Sequence, residues 1–349
     1  MSGIQHLKEF SKPALRGLVD AMENDRLEVE TYANTFLPEE NTYSNTFAYD
    51  VIKKSNQIAA MIGVGAEPPV VDRDAVASRM GELAKYGIKA IVTEEELLQL
   101  NQPRNSAEEA ALVEKLTVKG ADLVKMIQDR IDVSKSQVLT EGKISYNSNG
   151  VKVNVDYTKD MPKNHKIKLE ASKDWTNDDA DIIGDLLEWV ENFENNSGQS
   201  PEAILMSRET QALLLKNKTV VTEATGSDST GRSRISVAEL DAVLSGYGLP
   251  TIQVVTKRKV TVKDVYTGKD EVIEYFPKHR VVMVAKGVGK FLFGPTVEND
   301  FQPGIVLDAY DKQEPIQSIF RSAAAGFPII ENPNLLLHAD VVSGSGAAG

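Results

Sequence analysis

The stretch KGVGKFLFG, residues 286–294, is the first candidate for a phosphate-binding loop, because it is rich in glycine and follows the apolar run RVVMVA. A Walker-type loop requires G-x-x-x-x-G-K-[ST] at the start of a helix, with a hydroxyl that binds magnesium. Here Lys290 is followed by Phe291, Leu292 and Phe293. The dinucleotide pattern G-x-G-x-x-G also fails, because Leu292 occupies the position of the third glycine. These glycines therefore have another role.

The histidines do not indicate a catalytic or metal site. None of His6, His165, His279 and His338 has an Asp, Glu or Ser at a spacing typical of a metal site or a catalytic triad. General base catalysis needs a positioned group within hydrogen-bond reach, and isolated histidines are more often surface or satisfied residues. We therefore predict no catalytic residue, no metal ligand, no cofactor and no enzymatic activity.

Two charged segments are candidate ligand sites. The segment DWTNDDADIIGDLLEWVENFE, residues 174–194, has eight acidic and no basic residues. A calcium loop would place glycine directly after the third ligand, where Ile182 stands, so the helix dipole explains these acids better. The basic run TKRKVTVK, residues 256–263, could bind DNA. Its alternation instead favours an exposed edge strand, where lysine prevents edge-to-edge pairing.

The composition predicts a globular protein. The 349 residues suffice for one large domain or two ordinary ones. A formal net charge of -12 argues against a surface that neutralises nucleic-acid phosphates. The absence of cysteine excludes disulfides and fits maturation in a reducing cytoplasm. The sequence shows neither a membrane-spanning run nor a signal peptide, and SGSGAAG, residues 343–349, is predicted to be a flexible tail.

The first half of the chain is predicted to contain arms and one long helix. Residues 1–50 lack a lasting period, which indicates a polar arm with one short helix at its start. Residues 57–92 alternate glycines and a Pro-Pro pair with β-branched pieces, which indicates a projecting two-stranded arm. Residues 105–133 are predicted to form a helix that Asn105 or Ser106 caps. Its apolar stripe consists of Leu112, Val113, Leu116, Leu123, Val124, Ile127 and Ile131.

The second half is predicted to mix helices and strands. Thr176 with Asp179, and Ser236 with Glu239, match capping boxes. The first of these helices is expected to bury one face: Ile182, Ile183, Leu186, Leu187, Val190 and Phe193. Further strands are predicted in EAILM, TIQVVT, KVTVKDVY, EVIEYF and RVVMVA, and a helix in RETQALLLK. The polar stretch of residues 218–236 is predicted to be a mobile surface loop.

The order of these elements resembles that of the major capsid proteins of tailed bacteriophages. Successive segments are similar to the lambda-type capsid protein E family, including SDSTGRSRISVAELDAVLSGYG, EYFPKHRVVMVAKGVGKFLFG and EPIQSIFRSAAAGFPIIENPNLLLHADVV. The resemblance covers nearly all of residues 1–342 and consists of dispersed patterns. Residues 1–100 match in layout more than in sequence.

This resemblance implies an α+β protein with the Hong Kong 97-type capsid fold. The implied parts are an N-terminal arm at 1–50, an extended loop with its flanks at 51–95, a peripheral domain at 96–177 with a spine helix at 105–133, an axial domain at 178–300, a return segment at 301–342 and a tail at 343–349. On this fold, KGVGKFLFG is the turn where the chain leaves the axial sheet, and glycine there serves backbone geometry.

The resemblance also implies where subunits meet. Apolar residues of the extended loop are expected to be buried against a neighbour: Ile58, Met61, Ile62, Val70, Val71, Ile88 and Ile91. An axial loop is expected near the five-fold and six-fold axes, and includes Gly226, Ser227, Asp228, Arg232 and Arg234.

The implied function is that of a structural protein which self-assembles into pentamers and hexamers of an icosahedral bacteriophage capsid around double-stranded DNA. The implied partners are other copies of the chain, a portal protein, a decoration protein as an optional addition, and DNA bound without sequence specificity. Because the arm begins almost at Met1, a separate scaffolding protein is expected. Procapsid maturation in the bacterial cytoplasm, a final place in the virion and no membrane partner are expected too.

Two alternatives remain open from the sequence. The first is the shell of a cellular nanocompartment of the encapsulin type, which shares the fold and holds an enzyme in place of a genome. The second is a soluble two-domain hydrolase or binding protein.

Overall fold

The computed structural model describes residues 3–28, 31–44, 46–53, 75–103, 105–148, 151–226, 231–263, 269–314 and 316–344. The chain forms two compact units. Unit 1 draws on Met1–Ala48, Met80–Lys135 and Phe291–Pro328, and unit 2 on Tyr49–Arg79, Ser136–Lys290 and Ile329–Gly349. Each unit therefore combines segments that are far apart in the sequence.

The described residues contain both helices and strands, as expected. The α-helices are α1 (Lys12–Glu28), α2 (Tyr32–Phe36), α3 (Glu94–Asn101), α4 (Ser106–Glu141), α5 (Ile182–Ser197), α6 (Arg208–Lys216), α7 (Lys218–Thr225) and α8 (Val237–Gly246). The strands are β1 (Glu39–Asn41), β2 (Thr46–Lys53), β3 (Ala75–Glu82), β4 (Ala84–Val92), β5 (Lys143–Ser148), β6 (Val151–Asp156), β7 (Lys166–Lys168), β8 (Ala203–Ser207), β9 (Ile252–Val255), β10 (Lys259–Lys263), β11 (Asp270–Glu274), β12 (Arg280–Val284), β13 (Gly289–Gly294), β14 (Val306–Lys312), β15 (Gln317–Ile330) and β16 (Leu336–Asp340).

A five-stranded sheet organises unit 1. Its order is β1-β13-β15-β14, and β4 also pairs with β15. The β4–β15 pairing is antiparallel and runs without interruption from Ala84 opposite Gly326 to Val92 opposite Ser318. Strand β1 pairs in parallel with β13, with Glu39 opposite Phe291. The sheet therefore joins the first third of the chain to the last third.

The long helix α4 packs on this sheet through the predicted stripe. Leu116, Leu123, Val124, Ile127 and Ile131 are buried in the core of unit 1, and Leu112 and Val113 pack partly against it. Asn105 caps the helix, since its side chain accepts a hydrogen bond from the Glu108 backbone at 2.9 Å. The helix ends at Glu141 rather than near residue 133, because Val138 and Leu139 continue the buried pattern within unit 2.

The N-terminal segment is more ordered than its broken periodicity suggests. The expected short helix is α1, which is 17 residues long. Leu15 and Val19 on this helix, together with Ile4 and Phe10 before it, are buried in the core of unit 1. The Phe10 ring packs edge-on against that of Phe320, with 5.3 Å between their centres. Tertiary burial therefore stabilises a segment whose local pattern is weak.

Unit 2 contains a second five-stranded sheet, in the order β7-β16-β12-β8-β9. Strand β12 lies at its centre, antiparallel to both β16 and β8. The strands β8 and β16 are buried at every position, which explains their continuous apolar sequences. Strands β10 and β11 form a separate two-stranded antiparallel sheet, so the basic run lies in a strand, as its alternation predicts.

Two predictions on the helices of unit 2 need correction. Helix α5 begins at Ile182, and Asp181 caps it by accepting from the Gly184 backbone, so the pair Thr176 and Asp179 is not its capping box. Leu187 is exposed, and Trp189 takes its place in the buried face. By contrast, the predicted capping box of Ser236 and Glu239 is present at α8.

The stretch predicted as a surface loop at 218–236 contains helix α7. The Asn217 side chain caps α7 by accepting from the Val220 backbone at 3.1 Å. Val220 and Val221 are buried, and Gly226 ends the helix in a left-handed conformation with φ 70°. The side-chain cap and the glycine end together make this short helix possible.

The glycines of KGVGKFLFG serve backbone geometry, as expected. Gly287 turns the chain between β12 and β13 with φ +83°, a conformation that favours glycine. A side chain at Gly289 would place its Cβ 2.0 Å from the Ile329 carbonyl oxygen. The segment that follows is strand β13, so it offers no helix N-terminus to a phosphate.

Gly289→Ala is expected to lower the free energy of unfolding by about 3 kcal/mol or more, because the backbone of β15 must shift to admit the methyl group. Urea denaturation monitored by circular dichroism measures this. Gly17→Ala is the control, because Gly17 is exposed in α1 and no atom lies within 4 Å of an added Cβ. It should stabilise the protein by up to about 1 kcal/mol. Equal effects of the two variants would refute the assigned backbone contact.

Candidate assembly surfaces

The extended-loop residues fall into two groups. Ile58, Met61, Ile62, Val70 and Val71 lie outside the described residues, whereas Ile88 and Ile91 lie in β4. Strands β2 and β3, on either side of residues 54–74, pair with each other as a two-stranded sheet. Of the predicted arm at 57–92, β3 pairs with a strand that lies before the arm, and β4 belongs to the large sheet of unit 1.

The two isoleucines of β4 differ in their surroundings. Ile88 packs partly against the core of its own unit, whereas Ile91 is 44% exposed. The Ile91 carbonyl oxygen accepts a hydrogen bond from Nζ of Lys119 at 2.7 Å, and the same ammonium group pairs with Glu96 at 3.2 Å. Burial alone would raise the pKa of Glu96, but hydrogen bonds from Thr93 and Lys119 lower it below its usual value. Lys119 therefore fixes the backbone at Ile91, while the Ile91 side chain stays partly exposed.

The axial-loop residues are also placed in part. Gly226 is the C-cap of α7, and Ser227 and Asp228 lie outside the described residues. The Arg232 guanidinium donates two hydrogen bonds to the Glu239 carboxylate, at 2.7 and 2.9 Å. These bonds, with those from Ser236, lower the pKa of Glu239 to about 2. Arg234 is exposed. The start of α8 thus fixes Arg232 at one end of this loop.

A turn in unit 1 presents two apolar side chains that the sequence patterns do not single out. In the 295–304 loop, Val297 is 70% exposed and Phe301 is 68% exposed. Asp300 and Phe301 both have positive φ, 51° and 62°. The loop is closed by the Phe301 backbone N–H, which donates to the Thr296 carbonyl at 2.9 Å. A left-handed Phe is uncommon and costs energy, so the loop displays this ring at the expense of stability.

Two histidines of unit 2, His165 and His338, are satisfied, as the interpretation of isolated histidines predicts, whereas Nδ1 of His279 is buried without a hydrogen-bond partner among the described residues. Nδ1 of His165 lies 2.9 Å from the Leu336 carbonyl oxygen, and Nε2 of His338 donates to the Leu139 carbonyl oxygen at 2.7 Å. Burial lowers the pKa of His165, and with Arg280 nearby it lowers that of His338 to about 3. Neither imidazole is available as a base at the surface.

Other kinds of site are not seen in the described segments. The His, Asp and Glu side chains placed there form no group of three or more that could hold a metal ion. Among the helices of those segments, none combines the length and apolar character that a membrane crossing requires.

Solved structures define the class of fold. A phage-related protein from Bordetella bronchiseptica RB50 matches with TM-score 0.58 and 13% identity, over 96% of this chain and 98% of that chain. A prophage protein of Escherichia coli CFT073 that is assigned as a capsid protein matches with TM-score 0.59 and 12% identity, over 95% and 99%. A chain of the satellite phage P4 procapsid matches with TM-score 0.50 and 9% identity, over 93% and 99%. The fold is the Hong Kong 97-type capsid fold.

The family follows from the sequence match. The family model described as phage major capsid protein E matches residues 16–341. The chain therefore belongs to the phage major capsid protein E family, whose members are structural proteins of the phage capsid. Among curated proteins, none matches this sequence.

Hydrogen exchange should distinguish β4 from the two-stranded sheet of β2 and β3. In a free subunit the amides of β4 should exchange slowly, like those of Leu116–Ile131, because β15 pairs with the whole strand. The amides of β2 and β3 should exchange faster, since two strands alone are marginal in water. Fast exchange throughout 84–92 would contradict the pairing and restore β4 to the extended loop.

Proposed function

We propose that this protein self-assembles into pentamers and hexamers that close an icosahedral shell around a double-stranded DNA genome. The observation that carries the proposal is the family match over residues 16–341. A structural rather than enzymatic role agrees with this family. The protein would be made and assembled in the bacterial cytoplasm and would end as part of the virion.

The chain offers the different surfaces that rings of subunits require. Pentamers and hexamers need heterologous contacts, in which one surface meets a different surface of the next subunit. The chain presents different surfaces for this purpose, including Ile91 on β4, the 295–304 loop of unit 1 and the Arg232 region of unit 2. The formal net charge of -12 also suits a container that does not hold DNA phosphates tightly.

We also propose a role for each part of the chain. The extended loop at 51–95 would lie across a neighbour, with Ile58, Met61, Ile62, Val70, Val71 and Ile91 buried there. Ile88 needs no neighbour for its partial burial, because it packs on its own core. The axial loop, with Gly226, Ser227, Asp228, Arg232 and Arg234, would lie near the five-fold and six-fold axes. The remaining parts are the arm at 1–50, the peripheral domain at 96–177, the axial domain at 178–300, the return segment at 301–342 and the tail at 343–349.

The partners in this proposal are a separate scaffolding protein and a portal protein. A decoration protein is an optional addition, and packaged DNA would be bound without sequence specificity.

Assembly can be tested directly with the purified chain. Co-expressed with its scaffolding protein, the chain should elute as particles of megadalton size and appear as closed shells in negative-stain microscopy. A uniform monomer or small oligomer under these conditions would favour the soluble-protein alternative. Shells that enclose a protein cargo and never take up DNA would favour the nanocompartment alternative.

Phe301→Ala should weaken assembly with little effect on folding. The ring is mostly exposed, so its removal should change the free energy of unfolding by no more than about 0.5 kcal/mol. If a neighbour buries the ring, its loss should raise the subunit concentration needed for assembly about tenfold. Light scattering measures this concentration. Phe301→Tyr, which keeps the ring, is the matched control, and unchanged assembly by Phe301→Ala would remove Phe301 from the interface.

A further inference from the structure

A buried lysine, an asparagine and a glutamate meet in unit 1 in an arrangement that shell assembly does not explain. The side chain of Lys135, on α4, has no exposed surface. Its Nζ donates to Oε1 of Glu39 at 2.6 Å and to Oδ1 of Asn34 at 2.8 Å. Nζ also lies 5.3 Å from the centre of the Phe291 ring. Burying an ammonium group is costly even when it is paired.

Separate elements hold these side chains in place. Thr31 caps α2 by accepting from the Asn34 backbone, so Asn34 lies in the first turn of a fixed helix. Glu39 belongs to β1, directly opposite Phe291 in β13. The Phe291 N–H donates to the Pro38 carbonyl at 2.8 Å, which secures β1 next to Glu39. Groups held in this way can react much faster than the same groups on flexible chains.

The Asn34 amide is held unequally at its two ends. Its oxygen accepts from the Lys135 ammonium, but its nitrogen, Nδ2, is buried and has no hydrogen-bond partner. An unpaired buried donor normally destabilises a protein. Because a C=O bond is about 1.23 Å long, Cγ of Asn34 lies at most about 4 Å from Nζ. The nucleophile is therefore close to an amide carbon whose nitrogen is free to leave.

We propose that Lys135 and Asn34 form an intramolecular isopeptide bond, with Glu39 as the general base and acid. The Glu39 carboxylate accepts a proton from Nζ, and the neutral amine attacks Cγ of Asn34. The Nζ–Cγ bond forms and the Cγ–Nδ2 bond breaks. Nζ loses two protons in all. Glu39 transfers the first to the leaving nitrogen, and the second also ends on that nitrogen, which departs as ammonium. The ammonium and the amide of the reactants become a secondary amide and an ammonium ion, without oxidant or reductant.

The surroundings favour this reaction over hydrolysis. The Lys135 side chain is fully buried and the Phe291 ring lies nearby, so water has little access to the attacking nitrogen. The cross-link would join residues 101 positions apart. It would restrict the unfolded chain as a disulfide does, in a protein that has no cysteine.

Mass spectrometry of the full chain, denatured after purification, tests the proposal. The intact mass should be lower than the sequence mass by one ammonia molecule. Trypsin should not cut after Lys135, because an amide-bonded lysine carries no charge. The digest should contain a branched peptide in which residues 34 and 135 are joined, identified from its fragment ions.

Variants assign the roles. Glu39→Gln should slow formation of the branched peptide by at least about a hundredfold, the usual effect of losing a general base. Asn34→Ala should abolish it. Lys119→Gln is the control. Lys119 lies on α4 like Lys135 and pairs with Glu96, but its side chain is partly exposed. This variant should keep the branched peptide. Circular dichroism shows whether each variant folds.

Three results would overturn the proposal. The first is a wild-type chain with its full sequence mass. The second is a loss of ammonia without the branched peptide, which indicates a succinimide at an asparagine. The third is a folded Glu39→Gln variant that forms the bond at the wild-type rate, which would remove Glu39 from the reaction. If that variant does not fold, the wild-type digest alone decides whether the bond exists.

Discussion

Backbone pairing along β15 is the interaction on which unit 1 depends. This strand pairs with β4, β13 and β14, and through β13 it is linked to β1 near the start of the chain. The close approach of β13 and β15 is possible because Gly326 has no side chain; a Cβ there would lie 2.7 Å from the Leu292 carbonyl oxygen. Helix α4 and the N-terminal helix α1 pack on the sheet that results. Without the last third of the chain, the first third would have no sheet to join.

Local signals in the sequence predict much of this fold. The stripe of α4 and the capping box of Ser236 and Glu239 involve residues that are close in the chain, and both are present. The helix α1 and the strand β4 depend on partners more than 200 residues away, such as Phe320. A local period carries no information on such distant pairing, so the sequence alone favours an arm at residues 1–50 and places β4 in the extended loop. The signal for α7 was local, in Asn217 and Gly226, and was obscured by the polar residues around it.

The candidate surfaces were less predictable, for a related reason. Exposure of Phe301 results from two consecutive left-handed residues, which the sequence NDFQPG does not require. The convergence of Lys135, Asn34 and Glu39 is visible only once β1 is paired with β13 and α4 is placed on the sheet. The resemblance to capsid proteins indicated the fold correctly, whereas the chemistry of a particular side chain depends on contacts across about 100 residues.

The buried imidazole of His338 makes the free energy of unfolding depend on pH. In the folded chain its pKa is about 3, whereas the ordinary value is 6.5. Between these two values an unfolded chain binds a proton that the folded chain excludes, so falling pH favours unfolding. The stabilising effect of the neutral ring is complete above pH 6.5 and decreases steadily as the pH falls toward 3. Because every copy of the chain carries this ring, each subunit of a shell would lose the same stabilisation as the pH falls.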